Sequence, residues 1–103
     1  MSSRIQLTRD AEKDLDEIFA YISGTLLSPE AAIGQLERLE QRIASLERLP
    51  KRYRVYEKEP WKSRGLRVMP VDNYLVFYVP DSESETVTVL RILYGGRDIE
   101  KQL

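Results

Sequence analysis

RGLRVMPVDNYLVFY, residues 64–78, is the stretch whose reading decides the fold. Leu66 and Val68 alternate with Arg67 and Met69 before Asp72-Asn73, and Tyr74, Val76 and Tyr78 alternate with Leu75 and Phe77 after it. Alternation on both sides of a two-residue turn predicts an antiparallel hairpin, with strands over 64–70 and 73–80. In the second strand both alternating sets are apolar. A hairpin that packs one face on a core normally shows water a polar second face. Leu75 and Phe77, with Arg67 close by, are therefore expected on a sheet face that something else must cover.

Downstream, TVTVLRILY (86–94) reads as a third strand, reached through the polar loop 80–84 and ended by Gly95-Gly96. Strict alternation places Val87, Val89, Arg91 and Leu93 on one face, with Thr88, Leu90, Ile92 and Tyr94 on the other. A charge in mid-strand must reach water or a partner. If Arg91 shares the open face with Arg67, the two form a cationic strip beside Met69, Leu75 and Phe77. Such a mixed apolar and arginine-rich surface suits a protein partner. Two alternatives stay open: these arginines pair with Asp72, Asp98 or Glu100, and residues 50–63 or the C-terminal tail fold over the face.

Upstream lie two helices. Thr8 is a suitable N-cap, and Ala11, Leu15, Ile18, Phe19 and Ile22 repeat at the spacing of one buried stripe, predicting a helix to about residue 25. Asp10, Asp14 and Glu17 share a helical face that could be taken for a metal site but reads better as a solvated one. Ser28-Pro29 opens a second helix, whose stripe is Ala32, Leu36, Leu39, Ile43 and Leu46 and which Pro50 ends. Residues 3–7 can form a short strand. The order is strand, helical hairpin, three-stranded meander. The expected fold is α+β in one domain over 1–103, its N-terminal strand and antiparallel helical hairpin packed on one face of a small antiparallel sheet.

The 103 residues include no cysteine and no histidine. Disulfides, thiolate metal sites and cysteine nucleophiles are excluded, and so are the commonest general base and the commonest metal ligand. No metal or cofactor is expected. The first residues become charged by residue 9, unlike a signal peptide, and no apolar run has the length of a membrane span, so a cytoplasmic protein with no membrane partner is expected. The net charge of −1 is unevenly spread: net −4 over residues 1–47, +6 over 48–67 and −3 over 68–103. A basic block between acidic ones is a candidate footprint for a polyanion.

SRGLRVMPVDNYLVFYV (63–79) and TVTVLRILYGGRD (86–98) resemble the RelE/ParE superfamily of bacterial toxins, as do the helix in LTRDAEKDLDEIFAYI and the stretch SLERLPKRYR. The similarity covers nearly the whole chain and is that of plasmid-stabilisation proteins. It implies the toxin of a type II toxin–antitoxin module, restrained by a cognate antitoxin that covers the surface around Arg64, Arg67, Met69, Leu75, Phe77, Arg91, Tyr94 and Arg97. A homodimer or a toxin–antitoxin heterotetramer is compatible with it. RelE-like members are ribosome-dependent mRNA endonucleases, and Arg67 and Arg97 match two of their catalytic positions. Here Leu75 stands at the basic mid-strand position and Leu103 where a tyrosine is expected. ParE-like members instead bind and inhibit DNA gyrase and are not enzymes, and the long helices with apolar Leu75 and Phe77 favour that branch. A non-toxic binding module is the third reading.

Overall fold

The structure is a computed structural model and describes residues 3–96 and 98–103. β1 (Arg4–Leu7) leads into α1 (Arg9–Ala20), which passes into a π-helical turn, Tyr21–Thr25. α2 (Pro29–Ser45) returns antiparallel, and a long connection leads to β2 (Arg67–Val71), β3 (Tyr74–Asp81), β4 (Thr86–Tyr94) and the short α3 (Ile99–Gln102). The sheet order is β1-β4-β3-β2. β1 runs parallel to β4, so the sheet is mixed; the β2–β3–β4 meander is antiparallel as its turn residues require.

Both helix starts follow from capping chemistry. Thr8 Oγ1 accepts from the Ala11 amide at 3.1 Å, and Ser28 Oγ from the Ala31 amide at 3.4 Å, with Pro29 at the first helical position. The hairpin buries Ala11, Ile18 and Ile22 of one arm and Ala32, Leu39, Ile43 and Leu46 of the other against Met69, Val71, Val76, Tyr78, Val87, Val89 and Ile92 of the sheet. Leu15 and Leu36 only flank this core, and Phe19 is exposed. The buried stripes pass instead through Asp14 and Gln35.

Two features correct the expected strand faces. The turn sets the register Val71↔Tyr74, which pairs Met69 with Val76 and Arg67 with Tyr78. Arg67 and Met69 thus belong to the helix-facing half, while Val68 and Pro70 pair with Phe77 and Leu75 behind them. In β4, Phe77 pairs with Arg91 but Tyr78 pairs with Val89, so Leu90 is an extra residue in a β-bulge. The bulge flips the remainder of the strand: Ile92 joins Val87 and Val89 in the helix-side core, and Leu93 turns to the opposite face.

Asp72 opens the turn at φ 55°, and its carboxylate accepts from Arg38 Nε at 2.7 Å and Gln35 Nε2 at 3.0 Å. Arg38, then Gln35, holds the Asp72 carboxyl below its usual range; Ser84 does the same for Asp81 and Ser63 for Glu59. A depressed folded-state pKa contributes stability above the unfolded-state value and loses it as pH falls through the folded-state one. The melting temperature is therefore expected to hold between about pH 7 and 5 and to decline below about pH 4. Thermal melts across that range check the sign.

Candidate functional site

The face behind the sheet is a second small core. Leu66, Val68, Phe77 and Leu93 are buried there under Tyr56 and Trp61 from the α2–β2 connection and under Ile99 and Leu103 from the tail. Tyr56 meets the Phe77 ring edge-on, with centroids 5.7 Å apart. Lys58 Nζ lies 2.7 Å from Glu100, tying the two covering pieces together. The face expected to lie open is thus covered by the chain itself. Phe77 is 0% exposed, and Met69, equally buried, lies on the opposite side of the sheet. Neither meets solvent. Leu75 is half-buried and lines a cleft of about 360 Å³ with Arg54, Asp98, Ile99 and Glu100.

The arginines expected to form a strip are drawn to different places. Arg67 donates through Nη1 to the carbonyls of Lys51 and Tyr53, at 3.2 and 2.6 Å, and so pins the connection against β2. Arg91 grips Asp14 with both prongs, Nε to Oδ2 at 2.8 Å and Nη2 to Oδ1 at 3.0 Å. Its Nη1 reaches the Gln102 carbonyl at 2.6 Å. The Asp14 hydrogen bond is the main reason the guanidinium holds its proton more tightly than usual. The two side chains form no shared cationic surface. Arg64 is exposed and lies over the Trp61 ring, 5.2 Å from its centroid. Arg97 lies outside the described residues.

Asp14 has a second task that the sequence reading missed by assigning it to a solvated face. β1 ends at Leu7, which leaves the outer edge of β4 unpaired beyond Val89. Thr8 Oγ1 donates to the Leu90 carbonyl at 2.7 Å, and Asp14 Oδ2 accepts from the Ile92 amide at 2.9 Å. Two side chains at the start of α1 thereby close a sheet edge that would otherwise invite another strand.

The open surface is elsewhere. A groove of about 640 Å³ runs between the helical hairpin and the end of the sheet, walled by Tyr21, Ile22, Leu26, Tyr74, Ile92 and Tyr94 and rimmed by Asp14, Glu17 and Arg38. Tyr94 packs edge-on against Tyr74 and leaves half its surface to water. Beside the groove Leu27 is 82% exposed and held at φ 53°. A left-handed backbone is unfavourable for leucine, and an exposed one gains nothing from burial, so folding alone gives no reason for this residue. Among the described residues no group of three Asp, Glu, His or Cys side chains could hold a metal ion, and no helix is long and apolar enough to cross a membrane.

This architecture and sequence match the family model of the ParE toxin of type II toxin-antitoxin systems, parDE, over residues 5–99. The chain belongs to the ParE toxin family. No curated protein matches the sequence. Among solved structures, this ParE family member is similar to the chromosomal ParDE system of P. aeruginosa, with TM-score 0.75 and 20% identity over 90% of this chain and 96% of that one. It is similar also to RelBE2 of Mycobacterium tuberculosis, with TM-score 0.64 and 21% identity over 91% and 99% of the two chains. The intact E. coli RelBE complex gives TM-score 0.64 and 12% identity over 93% and 100%. At these identities the likeness establishes the ParE/RelE fold.

Among the described residues, one buried polar group in this ParE fold has no ordinary partner. The Tyr78 hydroxyl is enclosed near the Tyr53 backbone and Arg67 without a well-formed hydrogen bond, and burial pushes its pKa up. The Tyr78 ring is part of the helix-side core.

Proposed function

We propose that this chain acts as a ParE-like inhibitor that binds DNA gyrase, and that its cognate antitoxin seats in the groove beside Tyr94 and Leu26. The observation that carries binding over RNA cleavage is the engagement of the sheet arginines. A RelE-like reaction needs cations free to stabilise a charged phosphorane-like transition state. Arg67 is held by two carbonyls and Arg91 by Asp14. In the cleft left on the covered face Arg54 stands against Asp98 and Glu100, so its charged lining has no positive surplus to draw in a phosphate. The family match to ParE and the higher TM-score to the ParDE structure than to the RelBE structures support the same branch.

The groove suits the apolar stripe of an amphipathic segment, the common way a helix is taken up by a partner. Tyr94 offers a rigid ring and Leu27 an exposed anchor, the kind of contact that concentrates binding energy. Leu26→Arg or Tyr94→Arg is expected to weaken antitoxin binding by about 2 kcal/mol, roughly thirtyfold, without unfolding the chain. Titration calorimetry against the antitoxin measures it. The purified chain should inhibit gyrase-driven supercoiling, with relief by antitoxin, and leave mRNA intact on translating ribosomes. Cut mRNA with normal supercoiling would reverse the assignment.

A further inference from the structure

We infer that the strip 48–54, between the end of α2 and the edge of β2, is a docking surface for the phosphate backbone of duplex DNA. Arg48, Lys51, Arg52 and Arg54 are all exposed, and no acidic residue lies between Glu47 and Glu57. Among the described residues none of the four forms an ion pair, although Arg54 also lines the rear cleft that holds Asp98 and Glu100. The neighbouring cations differ: Lys58 is taken by Glu100 and Lys62 by Glu57. Apart from Arg64, which lies over Trp61, the exposed cations of the basic block without an ion pair fall in this one short stretch, which follows a net −4 over residues 1–47. That asymmetry turns this edge toward a polyanion.

The strip is also held in shape before any ligand arrives. The Arg52 amide donates to the Leu49 carbonyl at 3.2 Å, and the Val68 amide to the Arg54 carbonyl at 3.0 Å. Arg67 fixes the carbonyls of Lys51 and Tyr53, and Arg42 bonds the Tyr53 hydroxyl at 3.0 Å. A preformed backbone lowers the ordering cost of binding. The aromatic groups decide between kinds of nucleic acid. Unpaired strands are bound by stacking bases on free rings. Here Arg52 lies over Tyr53 at 5.4 Å and Arg64 over Trp61 at 5.2 Å, so both rings are already capped by the chain's own cations. What remains is a row of charges without a stacking platform, which suits phosphate contacts to a duplex.

Four such contacts imply an affinity that falls on the order of a hundredfold between about 50 and 200 mM salt. The test is fluorescence anisotropy of a labelled duplex of about 20 base pairs and arbitrary sequence, titrated with the purified chain at both salt concentrations. Arg54→Glu and Arg48→Glu should each weaken binding about tenfold at 50 mM and lower the salt slope by about one. Lys13→Glu makes the same charge change outside the strip, in α1, and should leave binding unchanged, with circular dichroism confirming that all three variants fold. The inference is overturned by no binding at 50 mM, by affinity insensitive to salt, by equal losses in the Lys13 and Arg54 variants, or by tighter binding of single-stranded RNA of equal length. Neither gyrase nor antitoxin enters the readout, so its failure would leave the gyrase reading untouched.

Discussion

Asp14→Ala is expected to lower folding stability by about 3 kcal/mol and the melting temperature by roughly 15 °C. Asp14 is 5% exposed and accepts three hydrogen bonds, two from Arg91 and one from the Ile92 amide. Truncation strands a guanidinium and a strand-edge amide together. Removing one partner of a buried pair costs about 3–5 kcal/mol because the remaining charge stays desolvated. Arg91 keeps some access to water, which places the expectation at the lower end. Asp14→Asn retains an oxygen for the Ile92 amide and should fall between wild type and alanine. Circular dichroism melts of the three proteins measure it. A loss under about 1 kcal/mol would mean that the pair behaves as an ordinary surface ion pair.

Phe77→Ala should be at least as costly, at about 4 kcal/mol, and Phe77→Arg should prevent folding. Phe77 is the largest side chain of the rear core, and Tyr56, Leu66 and Leu93 close over it. Alanine leaves a cavity that neither the connection nor the tail can refill, because Arg67 and Arg91 hold both in place. Were Phe77 on a free surface, Phe77→Arg would fold normally and lose only its partner. Expression followed by a denaturant melt separates the two: a cooperative transition near the wild-type midpoint in Phe77→Arg would restore the open face.

The elements of this fold were legible in the sequence because each carries its own local signal. Thr8 and Ser28-Pro29 mark the helix starts, and Asp72-Asn73 and Gly95-Gly96 mark strand ends. The face assignments were less legible, for two separate reasons. For β2 the information was present: a turn at residues 72 and 73 fixes which residues pair, and counting back from it puts Arg67 opposite Tyr78. For β4 it was not, since nothing in TVTVLRILY announces the bulge at Leu90, and one extra residue reverses every later side chain. Asp14 left a trace that periodicity alone could not interpret. Its place between Ala11 and Ile18 fits the buried stripe, and a buried acid calls for a cation such as the one in mid-strand at Arg91.

The candidate site was harder still. The mixed apolar and basic composition around the hairpin reads as one interface, and the structure divides it into three uses. The apolar part closes over itself under the tail, the sheet arginines pin the connection and α1, and the surplus charge collects at 48–54. The groove at the other end is built by residues far apart in sequence, Tyr21 and Leu26 against Tyr94, so no local motif could have announced it.

Induction of this chain alone in a bacterial host, with parallel labelling of new DNA and new protein, tests the central claim most directly. A gyrase-binding toxin predicts that DNA synthesis falls first, with filamentation, while protein synthesis declines later. Protein synthesis collapsing within minutes while DNA synthesis continues would contradict it and place the action of this chain on the ribosome.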